Sequence, residues 1–103
     1  MIKKQYLADN ETCKVTFTID HDVVEDADAV HLLGDFNDWD AASLPMKRNK
    51  SGAFSTSVKL PCGERYQFRY LIDETTWEND AAADDYVPSP FGSDNSVVEV
   101  TAQ

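Results

Sequence analysis

The chain has 103 residues and a formal net charge of −10, from 19 acidic against nine basic side chains. That length buries a core without metal or disulfide staples, and that charge disfavours nucleic acid and anionic membrane surfaces as partners. A hydrophobic share of 42% with 11% aromatics marks an ordered globular domain, and no apolar run approaches the roughly 20 residues of a membrane helix.

Met1-Ile2-Lys3-Lys4 has the look of a leader, but Gln5, Asp9, Asn10 and Glu11 follow where an apolar stretch would be needed, so the sequence predicts a cytoplasmic protein. Residues 1–10 read equally as strand or tail. Cys13 and Cys62 are too few and too far apart for a disulfide framework or a zinc motif, and read as reduced thiols.

From Lys14 onward the hydrophobic period is two. Val15, Phe17 and Ile19 alternate with Lys14, Thr16 and Thr18, the pattern of a half-buried strand. His21 to Ala29 reads as an acidic loop, and Val30, Leu32 and Leu33 as a strand ending at Gly34. Phe54, Thr56, Val58 and Leu60 form the next strand, closed by the turn Pro61-Cys62-Gly63. In the clearest strand Tyr66, Phe68, Tyr70 and Ile72 face one way while Arg65, Gln67, Arg69 and Asp73 face the other. Asp73 to Thr76 makes a hairpin turn into Trp77, and Val98 and Val100 mark a last strand. Asp80–Asp85 is the one helical candidate. Short strands at such spacing predict a single all-β domain over residues 1–103, an antiparallel β-sandwich of about seven or eight strands.

Two tryptophans stand outside this alternation. Trp39 sits in Gly34-Asp35-Phe36-Asn37-Asp38-Trp39-Asp40 and Trp77 in Thr76-Trp77-Glu78-Asn79-Asp80, both polar settings where a ring is partly wet. Either indole could cap one end of the sandwich as satellite core. Two of them, among amides and carboxylates, favour exposed platforms, because an indole face stacks on the C–H face of a sugar ring while polar neighbours meet its hydroxyls.

The same segments resemble the family 48 carbohydrate-binding modules, which include the glycogen-binding domain of the AMP-activated protein kinase β-subunit and the N-terminal domains of isoamylases and branching enzymes. Val30 to Trp39 resembles the family's strand and loop. Pro61 to Asp73 resembles its aromatic-rich strand, Trp77 to Asp80 its Trp-x-x-Asp continuation, and Tyr86 to Val98 its closing segment. The likeness is strongest over residues 30–100. It implies an immunoglobulin-like early-set sandwich that binds α-1,4-glucans such as glycogen, starch or maltooligosaccharides. Carried over residue by residue, it implies carbohydrate binding by Trp39, Arg69, Trp77 and Asn95, with Phe91 and Ser93 flanking the ligand. Arg69 stands where the kinase subunit has a lysine, so the charge is kept and the geometry is not. The turn at Glu74-Thr75-Thr76 also departs from the family, which has a Gly and a shorter loop there; that predicts a displaced Trp77.

Catalysis is not expected. Asp35, Asp38, Asp40, Glu78 and Asp80 offer carboxylate pairs, but they read as solvated loop charges, and a small sandwich is a poor place to raise one pKa for acid catalysis. His21 and His31 lack the partners of a metal site, no glycine-rich loop cradles a phosphate, and no cofactor is implied. Two functions follow: a non-catalytic α-glucan-binding module, or a protein-interaction or regulatory module of the same fold, partnered with a glucan-metabolising enzyme.

Overall fold

The computed structural model describes residues 2–8, 11–90 and 93–101. Among these, nine strands form two antiparallel sheets packed as a sandwich. The first sheet has the order β1 (Ile2–Tyr6), β2 (Thr12–Ile19), β5 (Phe54–Pro61) and β4 (Lys47–Arg48). The second is built on β6 (Glu64–Ile72), with β3 (Val30–Gly34) along one edge. Its other edge is shared: β9 (Asp94–Val100) pairs with residues 64–68 and β7 (Thr76–Glu78) with residues 70–72. The outermost strand, β8 (Asp85–Pro88), pairs with β9.

Alternation decides which side chains go inside. Val15, Phe17 and Ile19 of β2 meet Phe68 and Tyr70 of β6 and Val98 and Val100 of β9, all buried. Phe17 and Phe68 pack edge to face with ring centroids 4.9 Å apart, and Phe68 and Tyr70 do so at 5.7 Å. Burying each such side chain contributes roughly 1.5–3 kcal/mol. The opposite phase of β6, with Gln67 and Arg69, therefore faces out. This outer face of the second sheet carries the site described below.

The fold agrees with the predicted immunoglobulin-like sandwich, with one open reading decided and two local differences. Residues 2–6 are a strand, because Ile2 and Tyr6 pack against the core while Lys3 and Gln5 face solvent. The acidic stretch after β2 contains one helical turn, α1 (His21–Val24), pinned by Val24, which is buried. Asp80–Asp85 forms no helix, and Asp80 is not a solvated loop charge: it is 2% exposed. Its carboxylate accepts the Tyr70 hydroxyl at 2.7 Å and the Ala82 N–H at 2.8 Å, and its own N–H donates to Ser96 Oγ at 3.0 Å. The Tyr86 hydroxyl donates to the Asp80 carbonyl. The Asp84 N–H, which would close a first helical turn on the Asp80 carbonyl, donates instead to the Val97 carbonyl at 3.0 Å, and the bonds of Asp80 fasten the crossing from β7 to β8. Burial, with the Asp80 carboxylate beside it, pushes the Tyr70 phenol far above its ordinary range.

Candidate functional site

The site starts where β3 ends. A Cβ on Gly34 would lie 2.7 Å from the Gln67 carbonyl oxygen and 2.7 Å from the Phe36 ring, so only glycine lets the chain pass this close to β6. Phe36 then turns inward and packs on Phe17 and Tyr66, with centroids 5.6 and 6.2 Å away. Asn37 ties the loop together: its Oδ1 accepts the Gly34 N–H at 2.9 Å, and its Nδ2 donates to the Leu32 carbonyl at 3.0 Å and to Ser43 Oγ at 2.9 Å. Asp38 and Trp39 both take left-handed backbone angles, φ 55° and 57°. Such strain, on the order of 1–2 kcal/mol per non-glycine residue, persists only where the surroundings enforce it, and it clusters at binding sites. Here it sets Trp39 at the rim of the outer face.

The second tryptophan is placed by the hairpin between β6 and β7. Three residues, Asp73 to Thr75, separate the paired Ile72 and Thr76; Thr75 N–H donates to the Ile72 carbonyl at 3.1 Å, and Asp73 and Glu74 make the bend with left-handed φ of 51° and 63°. The unusual residues Glu74 to Thr76 thus make a tight connection. Asp73 also accepts the backbone N–H groups of Asp28 and Ala29 at 2.8 and 2.9 Å, which locks the turn to the neighbouring loop. Trp77 consequently pairs with Leu71, on the outward phase of the sheet, and stays 47% exposed.

Between the two indoles lies a cleft of about 600 Å³. It brings together Trp39, Arg69, Trp77, Ser93 and Asn95, five of the six residues that the sequence singled out. The sixth, Phe91, lies outside the described residues. Asp35, Gln67, Ser89 and Pro90 complete the lining and were missed.

The polar groups of the cleft form one chain. Trp39 Nε1 donates to Asp35 Oδ1 at 3.1 Å, and the Gln67 N–H donates to Asp35 Oδ2 at 2.8 Å. Gln67 Oε1 accepts from Asn95 Nδ2 at 2.9 Å, and Asn95 Oδ1 accepts from Arg69 Nε at 2.5 Å. Arg69 Nη2 reaches Ser93 Oγ at 2.7 Å and Ser89 Oγ at 3.1 Å. The guanidinium carbon stands 5.8 Å from the centre of the Trp77 ring, a cation–π distance. Arginine at this position, with its planar fork, therefore joins the last strand to the second platform in a way that a lysine point charge would not.

Chemically, this is a concave apolar surface with a few oriented donors and acceptors, the form of a small-ligand subsite. Among the described residues no group of three or more His, Cys, Asp or Glu side chains is arranged to hold a metal ion, and both cysteines are free thiols. Asp35, Asp38, Asp40 and Glu78 are exposed, as predicted.

No curated protein matches the chain. Residues 24–87 match the family model described as carbohydrate-binding module 48, the isoamylase N-terminal domain. The match holds Trp39, Arg69 and Trp77 and stops short of Ser93 and Asn95. It covers more than half of the sequence, and the sandwich agrees with it: the chain belongs to the carbohydrate-binding module 48 family.

Proposed function

We propose that this module binds α-1,4-glucans (glycogen, starch or maltooligosaccharides) in the cleft between Trp39 and Trp77, and that it does no chemistry on them. The observation that carries this reading is the convergence of two indoles on one cleft floored by Arg69 and Asn95. Covering about 100 Å² of apolar area on one ring contributes roughly 2.5 kcal/mol. Two rings and several hydrogen bonds, less the cost of association, leave about −4 to −7 kcal/mol, a Kd between about 1 mM and about 10 μM. Binding is thus weak for one site, and multivalency on a polymer raises it.

Two observations favour binding without catalysis. The 103 residues hold this module and no catalytic domain, and an eight-stranded α/β barrel alone takes about 250 residues. Asp35 is the sole carboxylate among the described residues lining the cleft, whereas glycoside hydrolysis uses two across the scissile bond. Electrophoresis through gels containing glycogen tests the reading. Wild type is retarded, and the double variant Trp39→Ala, Trp77→Ala migrates as in a gel without glycogen. Equal retardation of both proteins would place binding elsewhere.

A further inference from the structure

Two N–H groups from different elements converge on Asp35. One belongs to the Trp39 indole, on the strained turn, and the other to the Gln67 backbone, on the central strand. The pairing of β3 with β6 ends at Gly34 opposite Phe68, so the Asp35 side chain takes over from the sheet ladder one residue further along. The bridge matters for the ring. Trp39 is half-buried, stands on two left-handed residues, and its N–H is anchored by this carboxylate. Stacking needs the face of the indole to be presented at a fixed angle, and a ring held only by its own torsions would lose that angle. The chain of bonds also continues from Gln67 through Asn95 to Arg69, which stands over Trp77. Asp35 is therefore the link between the first platform and the groups that position the second.

We propose that Asp35 is a positioning residue for glucan binding, acting through the Trp39 indole. The proposal rests on the glucan reading of the cleft. Asparagine tests it with little change of shape, because its amide turns an oxygen to one of the two N–H donors and an NH₂ to the other. Asp35→Asn weakens maltoheptaose binding about tenfold, or about 1.4 kcal/mol.

The discriminating experiment is a double-mutant cycle with Trp39→Phe, which keeps an aromatic face and removes the indole N–H. In that background Asp35→Asn costs less than about threefold in affinity. An equal loss in both backgrounds would mean that Asp35 acts only by supporting the fold, and the proposal would be wrong. Asp35→Ser, one atom too short to bridge the same two donors, takes the place of Asp35→Asn in the cycle should the latter not fold. The nitrogen–proton NMR spectrum of the ligand-free protein separates this failure from that of the glucan reading. Asp35→Asn shifts the Trp39 indole resonance and speeds its exchange with solvent while that of Trp77 stays in place. If wild type binds no maltoheptaose, the glucan reading falls and the binding role of Asp35 falls with it. If wild type binds but the Trp39 resonance ignores the substitution, the positioning role alone is refuted.

Discussion

Replacing Tyr70 by phenylalanine removes one oxygen from the centre of the sandwich and tests whether the crossing above it is held as described. Tyr70 is fully buried and Asp80 is 2% exposed, so the 2.7 Å bond between them lies out of water. A hydrogen bond to a charged group in such a place contributes about 1.5–3 kcal/mol. For a domain of this length, a loss of about 2 kcal/mol lowers the melting temperature by roughly 8–16 °C. The pH dependence gives a second, independent reading. The folded-state phenol titrates far above its ordinary range, chiefly because it is buried and then because Asp80 is near, while the unfolded phenol titrates near pH 10. Its contribution is therefore complete below pH 10 and is lost as pH rises above it, because the unfolded chain gives up the proton first. Between pH 9 and pH 11 this one group costs wild type about 1.4 kcal/mol. Urea unfolding of both proteins at pH 7, 9, 10 and 11 measures it: wild type loses stability faster than Tyr70→Phe above pH 10, and the two curves converge. A penalty below about 0.5 kcal/mol at pH 7, with parallel curves up to pH 11, would refute the argument.

Gly34→Ala forces a methyl group against the Gln67 carbonyl and the Phe36 ring, and costs about 1–3 kcal/mol. The urea midpoint falls at constant slope, and an unchanged midpoint would show that the close approach is not real. Glu74→Gly relieves a left-handed glutamate; stability rises by about 1 kcal/mol, read as an increase of about 4–8 °C in the melting temperature. No increase would mean that the left-handed backbone at Glu74 stores no strain. Trp77→Ala removes a ring whose exposed half offers about 100 Å² to a ligand, so calorimetry finds glucan affinity lower by up to about 70-fold, with the β-sheet circular dichroism unchanged. Affinity within about twofold of wild type would remove Trp77 from the site.

Much of this was legible in the residues themselves. The period-two alternation of β6 is enough to assign Phe68 and Tyr70 to the core and Arg69 to the other face, and the two out-of-phase tryptophans mark the rims of the cleft. Gln67 was equally accessible, lying two residues before Arg69 on the same face, but an outward glutamine on a strand carries no signal of its own. Asp35 was hidden by numbers: with 19 acidic residues in the chain, one more exposed loop carboxylate carries no signal, and only the turn that brings it to the Trp39 indole and the Gln67 N–H sets it apart. The same abundance concealed Asp80, whose burial depends on Tyr70 ten residues earlier and Ser96 sixteen later, partners that no local pattern pairs with it. Residues 2–6 were ambiguous because a five-residue edge strand with lysines among its polar positions differs little from a polar tail until Ile2 and Tyr6 find the core. The register of Trp77 with Leu71 is set by loop length: three residues, Asp73 to Thr75, separate the paired Ile72 and Thr76, and the left-handed pair at Asp73 and Glu74 makes the bend.

The most direct test of the central claim is a titration of the wild-type protein with maltoheptaose, followed by intrinsic tryptophan fluorescence, with cellohexaose as the control. Both tryptophans border the cleft, so an α-glucan entering it must change their environment. A saturable change with a Kd between about 10 μM and about 1 mM is expected for maltoheptaose, and none for cellohexaose. No change with maltoheptaose up to about ten times the weaker of those values would contradict it.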